Sequence, residues 1–167
     1  HPLDFVGENG DPIEGVIEAA RRKLDQELGI PRTETNNWEF NHIGRFEYKS
    51  RWDAEWIEHE IDHVLIVQAD CEVNFNRNEI QAVDWLSREA LTQMMERKGR
   101  WKSQIIAPWF EAIYHNFLNS GNFSIDGIIS NKSPEIIRCG DLPVKHPENS
   151  ASNVLAALGE HREIVEK

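Results

Sequence analysis

The stretch "DPIEGVIEAARRKLDQELGI", residues 11–30, constrains the fold more than any other part of the chain. It contains the signals for both ends of a helix. Asp11 offers an acceptor at the cap, Pro12 has a backbone angle already set for the first turn, and Glu14 places a carboxylate near the unpaired amides there. Ile13, Val16, Ile17, Ala20, Leu24 and Leu28 recur at three-and-four spacing and form one apolar stripe. Gly29 supplies the left-handed stop, so a helix is expected to about Leu28. Glu18 precedes Arg22 by one helical turn, a favourable pair on the wet side.

Beyond that helix the periodicity changes. "EFNHIGRFEYKS" (39–50) and "HEIDHVLIVQADCEV" (59–73) have strand character, and the continuous apolar run in the second predicts burial on both faces. "EIQAVDWLS" (79–87) reads as a third strand. Ser87 then caps a helix that ends near Gly99, and Pro108 opens another with Trp109, Phe110, Ile113 and Phe117 on or near one face. From about Gly121 turn and breaker residues dominate, as in "SGNFSIDG" and "GDLPVKHPENS", and no fold is assigned there. Near the C-terminus, Val154, Leu155, Leu158 and Val165 allow a short amphipathic helix, which Gly159 weakens. Strands set among helices predict a mixed α/β domain with a tail.

The charge narrows the function classes. Over 167 residues, 29 acidic and 18 basic side chains leave a formal net charge of −11, which argues against nucleic acid as a partner. No apolar run approaches the ~18 residues needed to cross a bilayer, and the N-terminus lacks signal-peptide features, so an intracellular protein is expected. Cys71 and Cys139 have no paired spacing and read as free thiols. The spacing of His42, His63, His115, His146 and His161 suggests no ligand set. The six tryptophans are core anchors or the lining of a pocket.

Two constellations carry chemistry. In "EHE", Glu58 and Glu60 point to one face of a strand while His59 points to the other. Converging carboxylates hold a divalent cation or share protons, and the alternative is a solvated strand face. In the helix, Lys23 lies one turn before Glu27. That pair is a diphosphate–metal contact or a simple intrahelical salt bridge.

In order and spacing, "HPL", "ENGDPIEGVIEAARRKLDQELGI", "FEYKS", "WIEHEID", "NEIQAVDWLS" and "APWF" together resemble type I isopentenyl-diphosphate isomerase. The resemblance covers about residues 1–118. It implies a Nudix-like α/β/α sandwich with a mixed sheet, in which residues 1–120 form the major part of the isomerase domain and 121–167 an extension. It also implies the interconversion of isopentenyl and dimethylallyl diphosphate. His1, Glu58 and Glu60 match ligands of a catalytic divalent metal, Mg²⁺ with Mn²⁺ or Zn²⁺ as alternatives. Glu60 resembles the catalytic glutamate and Tyr48 the tyrosine that assists it. Trp109 matches the ring that faces the carbocation, Glu27 the residue that holds Mg²⁺ with the substrate diphosphate, and Lys23 a diphosphate contact.

The implied partner is a small allylic or homoallylic diphosphate, and the implied location is the cytoplasm, with the peroxisome a family alternative. Oligomeric state is not readable. In the family, the catalytic cysteine, two further metal histidines and part of the fold precede the position of His1. Residues 1–167 by themselves are therefore expected to have little or no isomerase activity. Two other readings compete. In a Nudix hydrolase the helix would read "REUxEExGU", but Lys23 and Gln26 replace two of its glutamates here. The second is a non-catalytic binding module.

Overall fold

The structure, a computed structural model, describes residues 12–51, 57–96, 100–101, 104–119, 124–142 and 157–158. Helix α1 occupies Pro12–Leu28, within the bounds expected from its capping signals. Gly29 has φ 68°, and a Cβ there would lie 2.2 Å from the carbonyl oxygen of Asn74. Glycine is required twice at this point, for the left-handed turn and for the close approach of another segment. The amides of Asn74 and Asn76 donate to the carbonyls of Leu28 and Glu27 at 2.9 and 2.8 Å, pairing two of the acceptors left open at the helix end. Asp11 lies outside the described residues.

A short helix α2 follows at Arg32–Thr35. It corrects one expected pairing: Glu18 takes Arg21 of its own helix and Arg32 of α2, rather than Arg22. The i+3 neighbour is as close as i+4 on a helix, and the turn through Pro31 brings a second guanidinium to the same carboxylate. Hydrogen bonding from Arg21, with Arg32 beside it, holds the Glu18 carboxyl below the usual range. The guanidinium of Arg21 also lies 5.3 Å from the centre of the Phe40 ring.

Strands β1 (Asn41–Arg51) and β2 (Ile57–Ile66) form an antiparallel ladder. Strand β6 (Ile136–Leu142) adds to the other side of β1, in parallel, giving a mixed sheet of order β2-β1-β6. Residues 121–167, given no fold from sequence, thus contribute helix α5 (Ile125–Ser130) and an edge strand. Ser124 caps α5 by accepting from the Gly127 amide at 3.1 Å.

The proposed third strand over 79–87 is mostly irregular, following a turn that ends at Glu79, and only Trp85–Leu86 (β3) forms a strand. The side-chain carbonyl of Asn76 accepts from the Asn78 amide, and its backbone carbonyl accepts from Glu79 and Ile80. This local turn competes with sheet pairing for the same backbone groups. The second expected strand likewise stops at Ile66, before the segment that binds the end of α1.

Helix α3 runs Arg88–Glu96, with the Ser87 hydroxyl accepting from the Ala90 amide at 3.2 Å. After a small ladder of β4 (Arg100–Trp101) and β5 (Gln104–Ile105), α4 occupies Pro108–Ile113 and continues as a π-helical turn, Tyr114–Leu118. Pro108 opens α4 as expected. At the C-terminal end, Ala157–Leu158 (β7) is extended and pairs in parallel with β3, so Leu158 is not helical; Val154, Leu155 and Val165 lie outside the described residues.

Burial alternates along β1 and places Phe46, Tyr48 and Ser50 on one inner face of the sheet. Phe46, Val64, Leu91, Met94, Phe110, Tyr114, Phe117 and Ile128 form the main core between that face and helices α3 to α5. Each such large side chain contributes roughly 1.5–3 kcal/mol by leaving water. A smaller cluster of Leu28, Ile30 and Ile80, joined by Leu24, Trp38 and Phe75, gathers around the end of α1. Cys71 and Cys139 are free thiols, as expected, and burial pushes both upward in pKa.

Candidate active site

The register of the β1–β2 ladder builds the site. Tyr48 lies opposite Glu60, and Ser50 opposite Glu58. Cross-strand partners share a face, so both carboxylates and the phenol converge on the inner side of the sheet while Lys49 and His59 face away. The Tyr48 hydroxyl lies 3.3 Å from Glu60 Oε2 and 3.5 Å from Glu58 Oε2. The Tyr48 ring is buried and stacks on Phe46 at 5.5 Å between centres, which fixes the direction of its hydroxyl.

Asp62 continues the alternation and adds a third carboxylate to this face, a residue the sequence reading passed over. The signal was available, since positions 58, 60 and 62 are every second residue of one strand. Burial, then the charges of Glu60 and Glu58, push the Asp62 carboxyl up to about 6. Tyr48 is also raised, by burial first and then by Asp62, Glu58 and Glu60, so the phenol keeps its proton.

Among the described residues, Glu58, Glu60 and Asp62 bring three carboxylates to this face, a donor type that suits a divalent cation. The hydroxyl of Ser50, opposite Glu58, is buried without a hydrogen-bond partner among the described residues. Hard carboxylate oxygens suit Mg²⁺ or Mn²⁺, and a neighbouring imidazole would extend the choice to Zn²⁺. Glu58 and Glu60 could supply two ligands to such an ion. Among the described residues no group of three His, Cys, Asp or Glu side chains is placed to enclose an ion. His1 lies outside the described residues.

The remaining predicted residues fall elsewhere. Lys23 and Glu27 form an intrahelical ion pair on α1, the helix whose Leu24 and Leu28 join the smaller cluster. Trp109 packs, partly buried, against the main core that contains Tyr48, with its ring edge-on to Phe110 at 6.2 Å. A groove of about 300 Å³ between α4 and β6 is lined by Glu111, His115, Ile137 and Cys139, and by none of the predicted residues.

With the carboxylate pair and its tyrosine in place, comparison with known proteins is informative. The family model for the NUDIX domain matches residues 1–110. The chain belongs to the NUDIX domain family. The α/β architecture and mixed sheet of this NUDIX chain are as its sequence implied.

The chain is similar to isopentenyl-diphosphate delta-isomerases from distant organisms. It is 35% identical over 122 residues to one from Gibberella zeae, covering 71% of this chain and 47% of that protein. It is 38% identical over 120 residues to isomerase 1 of Bos taurus, covering 71% and 52%. The protein from Dictyostelium discoideum is 38% identical over 123 residues, with 71% and 51% covered. The NUDIX chain spans about half the length of these relatives.

Proposed function

We propose that this chain carries the proton-handling half of an isopentenyl-diphosphate isomerase site, converting isopentenyl to dimethylallyl diphosphate. One observation supports it above others: a buried, protonated phenol within reach of two carboxylates on one face of the sheet. The similarity to isomerases over 71% of the chain supplies the substrate class.

The reaction moves a double bond by adding a proton at one carbon and removing one from another. Adding a proton to an unactivated alkene creates a tertiary cation, so the site needs a donor, an acceptor, a dry pocket and a π face. Glu60 transfers a proton, and Tyr48 holds the hydrogen bond that positions Glu60 and Glu58. The Trp109 indole is the ring best suited to stabilise the cation. Glu58, Glu60 and His1 would hold a divalent metal, whose charge polarises the groups bound to it. Glu27 would hold Mg²⁺ with the substrate diphosphate, and Lys23 would contact that diphosphate as a point charge. The substrate is a small diphosphate rather than nucleic acid, and the family resemblance favours a cytoplasmic location, with the peroxisome as the alternative. Among the described residues no helix is long and apolar enough to cross a membrane.

The test uses the native gene product that contains this sequence, supplied with Mg²⁺ and isopentenyl diphosphate. Dimethylallyl diphosphate should appear, with no phosphate released from a panel of diphosphates. Phosphate or monophosphate release without isomerisation would replace this reading with hydrolysis. Neither product, from protein shown to be folded, would leave a non-catalytic binding module.

A further inference from the structure

The outer face of the same sheet carries a second constellation that the carboxylate site does not use. His42 lies opposite Leu65 and His63 opposite Arg45, so the two histidines are diagonal neighbours on the face away from Tyr48 and Glu60. An irregularity in the ladder between His42 and Gly44 inserts one extra residue. Such a bulge bends the strand and re-aims a side chain. Nε2 of His42 and Nδ1 of His63 consequently meet at 3.0 Å. Their ring centres are 5.1 Å apart, with the planes inclined at 44°.

We propose that His42 and His63 form a two-imidazole binding site for a borderline divalent cation of the Zn²⁺, Cu²⁺ or Ni²⁺ class. The two nitrogens that already converge are its ligands. With metal–nitrogen bonds of about 2.0–2.1 Å in a tetrahedral shell, the centres of two imidazoles on one ion lie about 5 Å apart. The rings need only rotate in place to turn both lone pairs toward a common point.

The protons balance. A neutral His–His hydrogen bond uses a donor nitrogen on one ring and an acceptor on the other. Moving the donor's proton to the far nitrogen of its own ring exposes both near lone pairs with no change in charge. Burial, then His42 and Arg45, hold His63 below the usual imidazole range, which keeps that ring neutral. Arg45 is the adjacent cation, and its guanidinium is drawn aside by donating to the Pro134 carbonyl at 3.0 Å. No third His, Cys, Asp or Glu joins the pair among the described residues, so water completes the shell. Imidazole ligands select against Mg²⁺, which separates this site from the carboxylate face.

Titrating the protein with Zn²⁺ while following histidine ring nitrogens by NMR tests the assignment. Zn²⁺ added to saturation should shift Nε2 of His42 and Nδ1 of His63, and Mg²⁺ should not. His42→Ala and His63→Ala should each weaken Zn²⁺ binding at this site at least about ten-fold, since even outer partners of metal ligands have effects of that size. Rings of His42 and His63 that do not respond to Zn²⁺, or Zn²⁺ affinity at this site unchanged in both variants, would overturn the proposal. The ring signals of the unsubstituted protein decide the matter even if a variant fails to fold. Glu58 and Glu60 enter neither readout, so the result is independent of the isomerase reading.

Discussion

The two faces of one β-ladder handle charge in opposite ways. On the outer face, Glu47 is bracketed by Arg138 at 2.7 Å and by His59 at 3.0 Å, each contributed by a neighbouring strand. On the inner face, Glu58, Glu60 and Asp62 gather around a single phenol, and burial first, then the charges of Glu60 and Glu58, push the Asp62 carboxyl up to about 6. The strands, their twist and their register are shared. The difference is therefore in side-chain choice: among the described residues, the outer face pairs Glu47 with basic side chains from both neighbouring strands, while the inner face brings three carboxylates together beside the main core. Under the isomerase reading, this gathering of carboxylates beside the buried Tyr48 is where the chemistry would be carried.

The contrast is broken most sharply by removing one carboxylate from each face. Glu60→Gln keeps the shape but removes the group proposed to transfer the proton, and under the isomerase reading isopentenyl diphosphate turnover by the native gene product should fall by about 10²–10⁴-fold. Glu47→Gln removes an equally well-placed carboxylate from the outer face. It should alter turnover by no more than about two-fold, the scale of an ordinary surface change. Similar losses from both variants would mean that the faces are not functionally distinct.

Packing should differ between the faces in the same sense. A Cβ added at Gly44 would lie 2.5 Å from Cε1 and 3.0 Å from Cζ of Phe117, which is fully buried and has no room to retreat. Gly44→Ala should therefore destabilise the fold by about 1–3 kcal/mol in urea unfolding. Ile61, opposite Glu47 and 52% exposed, should tolerate Ile61→Thr within about 0.5 kcal/mol.

These differences were legible in the sequence only in part, for physical reasons. The end of α1 and the starts of α3 and α4 were readable because caps, prolines and stop glycines act on the few residues beside them. Strand β6 was not. "IIRCGDL" sits among breakers, and its partner β1 is remote in the chain, so parallel pairing had no local signature. The false strand over 79–87 came from weighing its apolar alternation above the Asn76 turn, which captures the backbone first. At the site, "EHE" showed that Glu58 and Glu60 share a face, but spacing could not say that the face is the inner one. That follows from the pairing of Tyr48 with Glu60. The His42–His63 contact was hidden for a related reason: it depends on a bulge, and a one-residue irregularity changes which side chains are diagonal neighbours.

The smallest predicted effect is the most direct measure of the inner face's field. In metal-free buffer, Asp62 is ionised above about pH 6 in the folded chain, against its ordinary 3.8. Between those values the folded state binds the proton more tightly than the unfolded state. Stability from this group is thus fully present below 3.8 and is lost as pH rises through about 6. Asp62→Asn removes the charge while keeping the side chain's size, so it should stabilise the folded protein at pH 8 and have little effect below pH 4. Partial exposure screens the interaction, and the gain should be about 1 kcal/mol. Denaturant unfolding at both pH values, repeated in a Glu60→Gln background, sharpens the comparison. With one neighbouring charge removed, the benefit of Asp62→Asn should shrink, because Glu60 is the larger of the two charges acting on Asp62. A benefit that is the same at both pH values would trace to packing instead, and the inner face would then be no more electrostatically loaded than the outer.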